Sequence, residues 1–151
     1  MTQITTNSPV GPLTIFAHDG AIVAVEWGWP PETDEAPGAL LEEARAQIEA
    51  YFDGRLTRFD LPLAPHGTAF QKKVWPAIAA IPFGSARTYG DLARELGTAA
   101  RALGGACGRN PIPILIPCHR VLGGNGGLGG YSGMDGIETK RFLLRHEGVL
   151  V

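Results

Sequence analysis

Ile116-Pro117-Cys118-His119-Arg120-Val121 sets a thiol, an imidazole and a guanidinium on consecutive residues, directly after the apolar stretch Ile112-Pro113-Ile114-Leu115. The thiolate is the nucleophilic form of cysteine, and a free thiol with a pKa of about 8.5 is mostly protonated at neutral pH unless a base or positive charge lowers that value. His119 and Arg120 are the nearest groups in sequence that could do so, and a reactive Cys118 is therefore the first chemistry to consider. A metal centre is not expected. The four histidines and two cysteines contain no C-x-x-C or H-x-x-x-H ligand pair.

Charge divides the chain. Residues 1–66 hold three basic and ten acidic residues, a net −7, whereas residues 67–151 hold ten basic and five acidic, a net +5. The half with Cys118 is the one suited to a polyanion, although an uneven solvated surface would give the same numbers. The N-terminus has no basic segment followed by an apolar run, and no stretch approaches about 18 uninterrupted apolar residues. These features predict a cytoplasmic protein without a membrane segment, in which Cys107 and Cys118 stay reduced.

Two textures position the candidate residues. From Ile4 to Trp27, short apolar alternation is broken by turns, and Asp19-Gly20 between apolar runs predicts a hairpin. Leu40, Leu41, Ala44, Ile48, Tyr51 and Phe52 then recur at helical spacing up to Asp53-Gly54. Residues 1–66 thus read as a small α+β domain. Beyond them, Thr68-x-x-Gln71 is a capping box ahead of Phe70, Val74, Ile78 and Ile81, with Pro76 expected to kink the helix. Thr88-x-x-Asp91 opens a second helix ending at Gly97. Thr98 is expected to cap a third, with Ala102, Leu103 and Ala106 on one face. Two short helices about a glycine turn fit either a DNA-reading helix-turn-helix or an ordinary helical hairpin.

The segment Phe70–Gly148, just over half of the chain, resembles the O6-alkylguanine-DNA alkyltransferases. The resemblance rests on Phe70-Gln71-x-x-Val74-Trp75, Ile81-Pro82-x-Gly84, Thr88-Tyr89-Gly90, Ala100-Arg101-Ala102, Asn110-Pro111-x-Pro113-Ile114, Pro117-Cys118-His119-Arg120-Val121, Gly130-Tyr131-Ser132-Gly133 and Leu143-Leu144-x-x-Glu147-Gly148. It implies an α+β fold: a ribonuclease-H-like N-terminal domain over 1–66 and a helical, winged-helix-like domain with a helix-turn-helix over 67–151, which binds DNA and accepts the alkyl group. It further implies a monomer that moves an alkyl group from O6-alkylguanine in double-stranded DNA to its own cysteine, once and without a cofactor. O4-alkylthymine is a second candidate substrate.

Residue by residue, the resemblance makes Cys118 the acceptor thiol and His119 with Glu147 a relay that deprotonates it through a water. Side chains of successive residues in an extended segment point apart, which gives that water a separate rationale. Tyr89, following Thr88, would crowd the target phosphate and donate to guanine N3. Arg101, between Ala100 and Ala102 on the DNA-facing helix, would fill the stack left by an extruded base. Asn110 would tie that helix to the cysteine loop. The Cys118 and Val121 carbonyls would accept from the guanine 2-amino group, Tyr131 and Ser132 would wall the pocket, and Lys140 would support it. Cys107 falls where the motif carries no catalytic residue. The Leu96–Ala99 turn is shorter than in many relatives, and the stretch from Tyr131 to Lys140 is longer. Two other functions fit some of these residues: a lesion-binding alkyltransferase-like protein, which would lack the acceptor that Cys118 supplies, and a cysteine hydrolase, for which no nucleophile elbow or oxyanion-hole motif is visible.

Overall fold

The computed structural model describes residues 1–31, 33–124, 126–128 and 136–149. The chain forms two compact units, Met1–His66 and Gly67–Val151. In the first, strands β1 (Thr2–Thr6), β2 (Leu13–His18) and β3 (Ala21–Trp27) form an antiparallel sheet in the order β1-β2-β3. The predicted hairpin joins β2 to β3, with Asp19 at φ 49° and Gly20 at φ 78°, the left-handed pair that a tight two-residue turn requires. Helix α1 (Ala39–Phe52) buries Leu41, Ala44, Ile48 and Tyr51, the spacing read from the sequence.

In the second unit, α2 (Ala69–Ala79) opens with the expected capping box: the Thr68 hydroxyl accepts from Gln71 N, and the Gln71 side chain accepts from Thr68 N. Pro76 lies inside α2, which continues through it. The buried Trp75 Nε1 donates to the Ala106 carbonyl at 2.9 Å, anchoring α2 to the third helix of this unit. Strand β4 (Arg87–Thr88) leads into α3 (Tyr89–Leu96), where the Thr88 side chain accepts from Asp91 N and Gly97 closes the helix in the left-handed conformation. Helix α4 (Ala100–Gly108) follows. Its cap differs from expectation, because Ala99 occupies the N-cap position and no side chain bonds there, so Thr98 is one residue too early. The facing also differs. Leu103, Ala106 and Cys107 are buried, while Ala102 is exposed.

A 3-10 turn over Cys118–Arg120 leads into β5 (Val121–Leu122), which pairs in parallel with β4 as Arg87↔Val121 and Thr88↔Leu122. That short ladder ties the start of α3, and hence Tyr89, to the strand leaving Cys118. Helix α5 (Ile137–His146) buries Thr139, Lys140, Leu143 and Leu144 and ends at Glu147. The architecture is α+β, a sheet unit followed by a helical one. Among the described residues no helix is long and apolar enough to cross a membrane.

Candidate active site

The loop from Asn110 to Cys118 is held from within. Asn110 Oδ1 accepts from Ile112 N at 2.9 Å, while Nδ2 donates to the Ile116 carbonyl at 2.8 Å and to Cys118 Sγ at 3.1 Å. The backbone N–H of Asn110 reaches back to the Cys107 carbonyl at 3.2 Å. One asparagine thus connects the end of α4, the apolar loop and the thiol. The loop is tight enough to hold Ile114, a β-branched residue, at φ 73°, a conformation such residues rarely adopt.

Behind the thiol is a buried charge cluster. Glu147 Oε2 lies 2.7 Å from His119 Nε2; Arg120 donates to Glu147 Oε1 through Nε at 2.7 Å and to Oε2 through Nη2 at 3.0 Å. Arg120 Nη1 also donates to the Ile81 carbonyl at 2.6 Å. This explains the Ile81-Pro82-x-Gly84 motif: it supplies that carbonyl, and Gly84, at φ 84°, passes close to the Glu147 backbone. His119 is fully buried, and burial lowers its pKa; the Glu147 bond and charge oppose this, and Arg120 and Lys140 add to it. Its Nδ1 meets no protein partner among the described residues.

The thiol's surroundings differ from the sequence expectation. Cys118 lies in a 3-10 turn, not an extended segment, and His119 and Arg120 both engage Glu147. The groups acting on Cys118 are instead Cys107, Asn110 and Lys140. A hydrogen bond shared with Cys107 and then burial push the Cys118 pKa well above the usual thiol value, while Asn110 and Lys140 pull the other way. The same shared bond lowers that of Cys107. The inward facing of Cys107 follows from its spacing from Leu103, four residues earlier, on the buried side of α4.

Lys140 and Tyr89 complete the cluster. Lys140 Nζ donates to the Val121 carbonyl at 2.6 Å and lies 5.6 Å from the Tyr89 ring centroid. Burial draws the Lys140 pKa down to about 8, opposed by the two thiols. Tyr89 is pushed up to about 12, by burial and then by the same thiols, and its phenol therefore keeps its proton as a hydrogen-bond donor. The Val121 carbonyl accepts from Lys140, and the Cys118 carbonyl from Val121 N, which leaves each with one further lone pair for a base. Arg101, Ala100 and Ala102 are exposed on α4, away from the thiol cluster. Thr88 caps α3. Tyr131 and Ser132 lie outside the described residues.

Comparison with known proteins covers both units. The DNA binding domain of 6-O-methylguanine DNA methyltransferase matches residues 69–149, and the ribonuclease-like domain of the same protein matches residues 1–65. A methylated-DNA–protein-cysteine methyltransferase of Methanosarcina acetivorans is 45% identical over 150 residues, spanning 94% of this chain and 95% of its own. One from Mycobacterium tuberculosis is 43% identical over 155 residues, spanning 95% and 90%. The crystal structure of Mycobacterium tuberculosis OGT in complex with DNA superposes with a TM-score of 0.87 at 43% identity, covering 97% of this chain and 92% of that one. With both units matched in order and the sequence alike over nearly its full length, the chain belongs to the 6-O-methylguanine DNA methyltransferase family.

Proposed function

We propose that this protein reverses DNA alkylation directly, taking the alkyl group of O6-alkylguanine in duplex DNA onto Cys118. The observation that carries this reading is Asn110 Nδ2 aimed at Cys118 Sγ, with the buried His119–Glu147 pair beside it. Attack by sulfur on the O6-bound carbon forms the S–C bond as the C–O bond breaks, and the electron pair leaves on guanine. A resting thiol with a raised pKa needs a base. The neutral His119 ring, held by Glu147 through Nε2, has Nδ1 free to take the proton by way of a water. The protonated Tyr89 phenol meets charge developing on the base at N3, and the spare lone pairs of the Cys118 and Val121 carbonyls suit the 2-amino group.

The exposed start of α4 supports the DNA side. Ala100, Arg101 and Ala102 offer little bulk beside one long cation, which suits close approach to a groove and insertion into a stack opened by base extrusion. A cytoplasmic location, nucleoid-associated if the source is prokaryotic, goes with this reading. The product thioether is a poor leaving group and ends the cycle, so the protein is consumed stoichiometrically. The test is incubation with duplex DNA carrying O6-methylguanine, followed by intact-protein and peptide mass spectrometry. One methyl per molecule is expected on the Cys118 peptide, and Cys118→Ala should lose transfer while retaining salt-sensitive DNA binding. Repeated turnover, or methyl on Cys107, would overturn the assignment and favour a hydrolase or another thiol chemistry.

A further inference from the structure

Arg120 is buried two residues from the acceptor thiol, and the proton relay from Cys118 gives it no part. Its guanidinium nevertheless makes three hydrogen bonds. Nε donates to Glu147 Oε1 at 2.7 Å, Nη2 to Glu147 Oε2 at 3.0 Å, and Nη1 to the Ile81 carbonyl at 2.6 Å. The fork meets the carboxylate edge to edge, a bidentate geometry that a lysine cannot supply, and the Ile81 carbonyl fixes the guanidinium from the loop after α2. Glu147 Oε2 in turn meets His119 Nε2 at 2.7 Å, while His119 Nδ1 has no protein partner among the described residues.

We infer that Arg120 is a positioning residue for the alkyl transfer: its fork balances the Glu147 carboxylate and so keeps His119 neutral, with the proton on Nε2 and the Nδ1 lone pair open to the proton of the thiol. This rests on the assignment of Cys118 as acceptor. Charge decides the point. Glu147 and a neutral His119 alone would be a buried pair of net negative charge, which a proton on the imidazole would cancel, and the imidazolium would be the stored form. With Arg120 in place the carboxylate is already matched. A proton on His119 would then leave a net positive charge sealed from water, in range of a second buried cation, Lys140.

The charged and titratable groups around His119 are Glu147 and Lys140, from the end and the body of α5, and Arg120 and Cys118 from its own turn. Helix α2 also packs on that turn and buries the apolar Val74, Trp75 and Ile78. Lys140 donates to the Val121 carbonyl, whereas Arg120 binds Glu147 directly. A neutral His119 takes up the thiol proton as the thiolate forms, when the new anion balances the imidazolium. Once the sulfur is alkylated that balance is gone, and the proton leaves again by Nδ1.

The test begins with wild-type protein and an O6-methylguanine duplex, mapping the methyl group by peptide mass spectrometry, so that failure of the acceptor assignment is seen separately. The ring nitrogens of His119 are then followed by nitrogen NMR from about pH 8 to about pH 5, its signals identified by their loss in His119→Gln. A neutral ring protonated on Nε2 is expected at neutrality, and an imidazolium there would overturn the proposal whether or not any Arg120 variant folds. Single-turnover rates with O6-benzylguanine, which needs no DNA, are next measured against pH for the wild type, Arg120→Met and the double variant Arg120→Met/Glu147→Gln. Losing the guanidinium alone should move the acid limb of the rate profile and the His119 titration upward by at least about one pH unit, the scale of one close charge left unbalanced. The double variant lacks both charges and should return both towards their wild-type positions, even where its rates and stability stay low. A mere brace of the fold would lower the urea midpoint in both variants and leave the acid limb in place, and that result would also overturn the proposal.

Discussion

The buried cluster behind Cys118 and the outward face of α4 belong to the same folding unit and obey opposite rules. In the cluster, both Glu147 oxygens are engaged, Arg120 reaches three acceptors' worth of geometry through Glu147 and the Ile81 carbonyl, and His119 is sealed from solvent. On the α4 face, Ala100, Arg101 and Ala102 are exposed, and Arg101 is the single charged residue of the helix. The contrast separates two tasks: a nucleophile must be fixed to within a hydrogen bond, whereas a surface that meets DNA must stay small and uncommitted until the duplex arrives. Substitutions in the cluster should therefore damage the fold and the chemistry together, and substitutions on the α4 face should damage only the encounter.

The largest effect is expected at Glu147. Glu147→Ala leaves the Arg120 guanidinium buried without its carboxylate and removes the partner of His119, a loss of about 3–5 kcal/mol on the scale of broken buried pairs. Urea unfolding should show a large fall in midpoint, and any folded fraction should transfer its methyl group more slowly, with a rate profile displaced to higher pH. A variant as stable as the wild type would mean that the cluster does not hold the fold.

Asn110→Ala comes next. It removes the acceptor of Ile112 N and the donor to the Ile116 carbonyl, costing about 1–3 kcal/mol for the polar groups left unsatisfied. It also removes an amide that favours the Cys118 thiolate, so the transfer rate should rise with pH later than in the wild type. An unchanged rate profile beside a lower stability would make Asn110 a brace of the loop alone.

His119 supplies a smaller, pH-dependent term. Its folded pKa is lowered, so the unfolded chain binds the proton first as the solution is acidified. Stability should be fully present above the unfolded value of about 6.5 and decline below it, by at most about 1.4 kcal/mol per pH unit for this one proton. The comparison is with His119→Gln: its stability should vary less with pH between neutrality and pH 5, whatever its absolute value. Equal slopes would mean that His119 does not stay neutral in the folded state.

Local features were legible in the sequence, and features closed over distance were not. The Thr68–Gln71 box and the Asp19-Gly20 turn are settled by neighbours within three residues, and both formed as read. The sequence offers Arg120 as an aid to the thiol next to it, because its partners, Glu147 and the Ile81 carbonyl, lie 27 and 39 residues away. The facing of α4 was hidden for a subtler reason. In a helix made of alanine and glycine around Leu103, the apolar stripe is too faint to set its own phase, and packing against α2 and α3 decides that Cys107 turns inward and Ala102 outward.

The smallest effect on stability, and the most selective on function, is expected at Arg101. Its side chain is exposed and no ion pair of the described residues involves it, so Arg101→Ala should shift the unfolding free energy by no more than about 0.5 kcal/mol. Repair within a duplex needs the target base out of the stack, and an arginine inserted in its place lowers the free energy of that opened state. A free base such as O6-benzylguanine needs no extrusion and meets the same Cys118, Tyr89 and Lys140. The variant should thus react with the free base at close to the wild-type rate and with duplex lesions far more slowly. It should also repair a lesion opposite a mismatch, where less stacking and pairing energy is at stake, better than one in a matched duplex. Equal losses on free base and duplex would tie Arg101 to the pocket, and the division between the two regions would fail.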